Sequence, residues 1–254
     1  MNWRPALLIP AALLLSAEKA AAPVLVPEVS QHDIRVEQGF TGADLLLYGA
    51  ILTPEGQPIA DDYDIVVVVE GPTHAIVVRE KRQIAGMWIN AASSSFRSAP
   101  GFYAVASSRP LTQIVDPRTA AIYELGLDWL QLSPIGSIDP ARQQRFARGL
   151  VDHMQRMGLY HEDPGAVTIS HRVLYQARIA LPSSVPIGDY TAETFAVRKG
   201  RVLASGITRI RVDKQGFARL IADRAQHAGL AYGLCAVLLS IAMGWIAGRL
   251  FRRV

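Results

Sequence analysis

A stretch of 21 residues without a charge, Ala228–Gly248, constrains this 254-residue chain more than any other feature. As a helix it would be about 31 Å long, close to the hydrocarbon thickness of a bilayer. Tyr232 and Trp245 stand near its opposite ends, where amphipathic rings favour the membrane interface. Arg249, Arg252 and Arg253 follow at once, whereas Asp223 and Arg224 cancel on the other side. Positive charge marks the cytoplasmic flank of a span. The sequence therefore predicts a C-terminal transmembrane helix, 228–248, with the tail 249–254 in the cytoplasm. Gly229, Gly233, Ala236, Ser240, Gly244 and Gly248 recur three or four residues apart along it. They form a strip of small residues that permits close packing against a second copy or another membrane protein, although small residues are common in any span.

The N-terminus agrees with this orientation. Arg4, the apolar run Pro5–Leu15 and the small residues Ala20, Ala21 and Ala22 read as an export signal over 1–22. Its 11 apolar residues would cross only about half a bilayer. Pro23 would hinder a peptidase acting after Ala22, so the segment is either cleaved or kept as an anchor. The expected product is a single-pass inner-membrane protein whose large N-terminal domain, 23–215, faces the periplasm. A short amphipathic helix, 216–227, leads into the membrane.

Charge supports targeting rather than nucleic-acid binding. Between Pro23 and His227 there are 21 basic and 21 acidic residues, so the net +4 of the chain comes from its two ends. Phosphate binding requires cations clustered on the folded domain. Within the domain, residues 23–141 carry −7 and residues 142–224 carry +7. These halves either form an acidic and a basic region or interleave and neutralise each other. The single cysteine, Cys235, lies in the apolar stretch, so the domain must be stable without an intrachain disulfide.

The domain pattern is mainly β. Ala43–Leu52, Asp64–Gly71 and Ala75–Arg82 are apolar or β-branched runs divided by turn formers, with shorter runs at Gly86–Asn90 and Gly101–Ser107. Strands resume over Val167–Leu181, Asp189–Lys199 and Arg201–Asp213. In the last, Val202, Ala204, Gly206, Thr208, Ile210 and Val212 share one face at period two. Between these groups the pattern is helical. Asp116-Pro117 and Asp139-Pro140 each put an N-cap carboxylate before a proline at the first helical position. Phe146, Leu150, Met154 and Met157 then share a face, and Gly158 ends the second helix. The predicted fold is an immunoglobulin-like β-sandwich with a helical insertion over about 116–158.

No residue set compels a chemistry, and no cofactor or metal is implied. His153 with His161, Glu162 and Asp163 could offer metal ligands, but the last three are expected in a polar turn before Pro164. Ser93, Ser94 and Ser95 lack the strand–turn–helix context of a nucleophile and read as a turn. Asp61 and Asp62 fit a turn before a strand. Trp88 and Asn90 with Phe102 and Tyr103 could line a site, although strand aromatics usually serve as core. Arg142, Arg145, Arg148 and Arg156 lie on the polar side of the second helix, broken by Asp152. They make either an ordinary solvated face or a surface for anionic lipid, an acidic partner or an oxyanion.

Several segments together carry a family resemblance: Val36-Glu37-Gln38-Gly39-Phe40-Thr41-Gly42, Asp64–Pro72, Gly86-Met87-Trp88-Ile89-Asn90, Ala99–Leu111 and Leu181–Tyr190. Over nearly its whole length the chain resembles an alphaproteobacterial family of transmembrane proteins. The resemblance carries over no activity and no functional residue. It implies an accessory role beside a transporter, of the sulfite-exporter-like kind. Tether, sandwich and the absence of a catalytic constellation together lead us to expect a periplasmic domain that binds a membrane-protein partner or its own copy. The alternative is a periplasmic enzyme or small-ligand binder whose site is assembled from loops.

Overall fold

The computed structural model describes residues 22–36, 40–58, 62–136, 139–214 and 229–251. The export segment up to residue 21, Asp61, the stretch 216–227, Arg252 and Arg253 lie outside the described residues. The chain opens with strands β1 (Val24–Val29), β2 (Asp33–Val36), β3 (Gly42–Leu52) and β4 (Asp64–Glu70). Two long strands, β5 (Thr73–Ile84) and β6 (Met87–Pro100), precede β7 (Tyr103–Ser107). A helical stretch follows, with α1 (Leu111–Ile114), α2 (Pro117–Ile122), a 3-10 turn at Leu127–Trp129, the short β8 (Ser133–Pro134) and α3 (Pro140–Arg156). The chain then forms β9 (Tyr160–Pro164), β10 (Val167–Ser170), β11 (Leu174–Pro182), β12 (Gly188–Arg198), β13 (Arg201–Lys214) and α4 (Gly229–Phe251).

The expected mainly-β class holds, as three sheets rather than two. The first runs β1-β3-β11-β10 and is antiparallel throughout. The second runs β2-β13-β12-β4-β7-β9, with parallel pairs at both edges, β2 with β13 and β7 with β9. The third is β5-β6-β8. Alternation makes the first two sheets face each other. On β11, Tyr175, Ala177, Ile179 and Leu181 are buried between exposed neighbours. On β13 the inward set is Thr208, Ile210 and Val212, the face expected from period two. Hydrogen bonds cross between the layers. Tyr175 Oη donates to Thr194 Oγ1 at 3.2 Å, and Thr208 Oγ1 donates to the Pro27 carbonyl at 3.1 Å. The run Ile65–Val69 of β4 is buried at every position, as befits a central strand covered on both faces.

What covers the outer face of the second sheet is the helical crossover between β7 and β9. Its start signals work as predicted: the Asp116 carboxylate accepts from the Thr119 amide at 2.6 Å and that of Asp139 from the Arg142 amide at 3.0 Å. The insertion begins earlier than expected, at Leu111, and includes β8. On α3, Phe146, Leu150 and Met154 are buried. Met157, expected with them, caps the helix and is exposed, because the chain turns away through Gly158 at φ +70°.

Three further expectations are corrected. Ser93–Ser95 do not form a turn; they lie inside β6, where the strand is long enough to carry them. His161, Glu162 and Asp163 form strand β9, fixed by parallel pairing with Ala104, Val105 and Ala106. Trp88 is not core: it is 68% exposed beside the hairpin turn at Ala85-Gly86. Both turn residues have positive φ, +48° and +83°, as a tight hairpin turn demands.

The pair β4–β7 continues directly into β5–β6. Gly71 N–H donates to the Phe102 carbonyl at 2.8 Å, and Gly101 N–H donates to the Pro72 carbonyl at 2.9 Å. Bare glycines suit this junction. A Cβ on Gly71 would lie 2.8 Å from the Tyr190 ring, and one on Gly101 would lie 2.8 Å from Pro186. The result is one long two-stranded ribbon whose far end projects beyond the two facing sheets.

Candidate functional site

The predicted arginine face contributes to a groove of about 540 Å³ between α3 and β5. Its apolar lining comes from Ile76 and Val78 on the strand and from Phe146 and Leu150 on the helix. Arg79, Arg145, His153 and Arg156 border it, with Glu80 the acidic member. Helix spacing produces this arrangement: Phe146 and Leu150 point inward, while Arg145 and Arg156 stand at the margins. Arg145 Nη2 pairs with Glu80 Oε2 at 3.2 Å, and its guanidinium lies 5.8 Å from the Phe146 ring centroid. Arg156 pairs with Asp152 one turn back on the same helix. Arg142 and Arg148 are exposed and do not line the groove. The site can accept an amphipathic segment, apolar on one side and acidic on its edges.

A second concavity, of about 430 Å³, was not foreseen from sequence. Glu70 at the end of β4, Glu193 on β12 and Glu124 after α2 all line it, with Tyr103, Thr191 and Ser133. Strand register explains two of the three. Thr191 pairs with Glu70, so Glu193, two residues along, shares the face of Glu70. Burial raises the Glu70 carboxyl above its ordinary pKa and the charge of Glu124 adds to this. Burial likewise raises Glu193, partly offset by a hydrogen bond from Ser205. Tyr103 holds the third carboxylate in place: its hydroxyl donates to the Glu124 carbonyl at 2.5 Å and accepts from the Gly126 amide at 3.1 Å. Such a cleft favours cations over anions. No single segment carries its signal, since the three glutamates come from separate parts of the chain.

The other predicted residues scatter. His153 borders the groove, whereas His161 is on β9 with its ring 5.6 Å from that of Phe102, and burial lowers its pKa. Glu162 Oε1 accepts from the Leu127 amide at 2.5 Å, which fixes the 3-10 turn. Among the described residues no group of three His, Cys, Asp or Glu side chains is placed to hold a metal. Asp62 pairs with Arg172 at 3.3 Å. Ser94 is buried on β6. Phe102 and Tyr103 are buried, far in character from exposed Trp88 and Asn90, so the four do not make one site.

The helix α4 has 23 residues with one charge, Arg249, in its last turn. Side chains are described only at 233–234 and 236–249, and all of these are exposed, including Leu234, Leu238, Leu239, Ile241 and Ile246. Among the described residues no helix is long and apolar enough to cross a membrane. Of the predicted packing strip, Gly233, Ala236, Ser240, Gly244 and Gly248 are exposed, and Ser240 Oγ donates to the Ala236 carbonyl at 2.9 Å.

Taken together, the architecture is that of a mainly-β domain followed by an apolar C-terminal helix. Comparison with known proteins names the group. The chain belongs to the family described as "Putative transmembrane protein (Alph_Pro_TM)", whose model matches residues 24–253. No curated protein matches the sequence. Among solved structures it is similar to Spo0M, a sporulation control protein from Bacillus subtilis, at 11% identity and a TM-score of 0.30. That match covers 82% of this chain and 56% of the other, so the chain spans little more than half of that protein's length. At such a score the likeness carries no argument.

Proposed function

We propose that the protein is a single-pass inner-membrane protein whose periplasmic domain, an immunoglobulin-like sandwich, binds a segment of a membrane-protein partner. Membership of a transmembrane family supports the tether. So does α4, whose described apolar side chains are exposed on every side. In water that is costly, about 25 cal/mol for each Å² of apolar surface, whereas in lipid it is favourable. Arg249, with Arg252 and Arg253 behind it, sets the C-terminus in the cytoplasm.

The observation that carries the binding role is the α3–β5 groove, with its apolar floor and bordering Arg79, Arg145, His153 and Arg156. Its occupant is an amphipathic acidic segment, and the role is that of an accessory to a transporter or envelope complex. The small-residue strip of α4 offers the same partner, or a second copy, a surface within the bilayer. A second reading, a small cationic ligand in the Glu70–Glu124–Glu193 cleft, is favoured by the raised carboxyl pKa values there.

A photo-crosslinking residue at His153 in whole cells tests the proposal. The expected result is one membrane-protein adduct that disappears in Arg79→Glu/Arg145→Glu and does not form from Thr168 on β10. Identical adducts from both positions, or none from His153, would overturn it.

A further inference from the structure

Among the described residues of the domain, the far end of the β5–β6 ribbon carries the longest exposed run. From Lys81 to Ala91 every residue is exposed. At the tip, Ile84 is 50%, Met87 67%, Trp88 68% and Ile89 42% exposed. Such a cluster on a projecting hairpin is unusual for a surface that meets only water. Lys81 and Arg82 stand directly behind it, Arg82 exposed and 3.6 Å from Glu80, the one acidic residue of β5 and β6, and Arg79 and Arg97 lie further back. Apolar residues with an interfacial tryptophan and a collar of cations match the chemistry of an anionic bilayer surface.

Topology puts this ribbon at the correct end of the molecule. The last residue of β4, Glu70, pairs with Thr191 near the start of β12, and Gly188 at that start pairs with Val212 near the end of β13. The ribbon thus springs from the end of the sandwich at which β13 leaves for the C-terminal helix. The lengths are also compatible. Residues 215–228 can reach at most about 50 Å, and the 12 residues of β5 extend about 40 Å. The ribbon therefore bridges the gap to the membrane whenever the linker spans less than about 40 Å, short of its full extension.

We infer that the Ile84–Ile89 tip inserts into the periplasmic leaflet, with Lys81 and Arg82 on anionic lipid headgroups, giving the domain a second membrane contact. The inference rests on the tether proposed above, and its test separates the two. Full-length protein with Cys235→Ser is reconstituted in nanodiscs of phosphatidylethanolamine and phosphatidylglycerol. A nitroxide is attached through Met87→Cys, Ile241→Cys or, as an aqueous control, Thr168→Cys. Its collision accessibility to oxygen is compared with that to a water-soluble nickel chelate.

The tip account expects the oxygen-to-nickel ratio at position 87 to exceed that at 168 and approach that at 241. Lys81→Glu/Arg82→Glu should lower the ratio at 87 and leave that at 241 unchanged. A ratio at 87 equal to that at 168, with 241 in lipid, overturns the tip and leaves the tether standing. A label at 87 shielded from both probes marks a protein contact and also overturns the tip. A water-exposed label at 241 overturns the tether, whatever position 87 reports.

Discussion

Replacing Tyr103 by phenylalanine should unlock the acidic cleft from the sheet. Tyr103 is 2% exposed, and its hydroxyl satisfies two backbone groups of the crossover, the Glu124 carbonyl and the Gly126 amide. Those residues hold unusual backbone angles, φ +50° at Glu124 and +112° at Gly126, which the hydroxyl helps to fix. A stranded buried group costs about 1–3 kcal/mol. Partial access of the Glu124 carbonyl to the cleft should limit the total to about 2 kcal/mol. For a domain of this size that corresponds to a loss of about 4–8 °C in Tm. Relaxation of the loop would also withdraw the Glu124 charge from Glu70, so the Glu70 pKa should fall toward the ordinary carboxyl value. Urea unfolding of the full chain in detergent, followed by circular dichroism, gives the first number; an NMR titration of Glu70 gives the second. Unchanged stability within about 0.5 kcal/mol, together with an unshifted Glu70, would refute the reasoning.

Other perturbations probe the core, the cleft and the tether. Phe146→Ala removes a 3% exposed ring from the base of the groove and should lower stability by about 3–5 kcal/mol in the same urea assay. Glu70→Gln tests the half-buried carboxyl. A carboxyl whose folded pKa is raised keeps its proton longer in the folded state, so its contribution declines as pH rises from the unfolded value, about 4.3, through the folded one. The variant should therefore gain on wild type as pH rises between those values, seen as a difference in urea midpoint that grows from acid to neutral pH. Ile241→Arg should disfavour membrane insertion by about 3–4 kcal/mol, read as the fraction released from membranes by carbonate.

Local signals were legible wherever they were self-contained. The alternation from Val202 to Val212, the caps Asp139-Pro140 and Asp116-Pro117, and the apolar run Ile65–Val69 each encode an element through neighbouring residues alone. What sequence could not reveal depends on distant pairing. His161–Asp163 look like a polar turn, yet β7 recruits them as an edge strand through parallel hydrogen bonds. Ser93–Ser95 look like a turn because nothing local announces that β5 and β6 pair over their full length. The arginine face was visible from helical spacing, but the groove it borders needed β5 to supply Ile76 and Val78. The acidic cleft was invisible for the same reason, its three glutamates being separated by more than fifty residues along the chain at each step.

The central claim is that a periplasmic domain is anchored by α4 with the C-terminus inside. Fusing a reporter after Val254 tests it most directly, with green fluorescent protein in one strain and alkaline phosphatase in another. The account predicts fluorescence, an inactive phosphatase and full retention on membranes washed with carbonate. An active phosphatase, or release of the intact chain by carbonate, would contradict it.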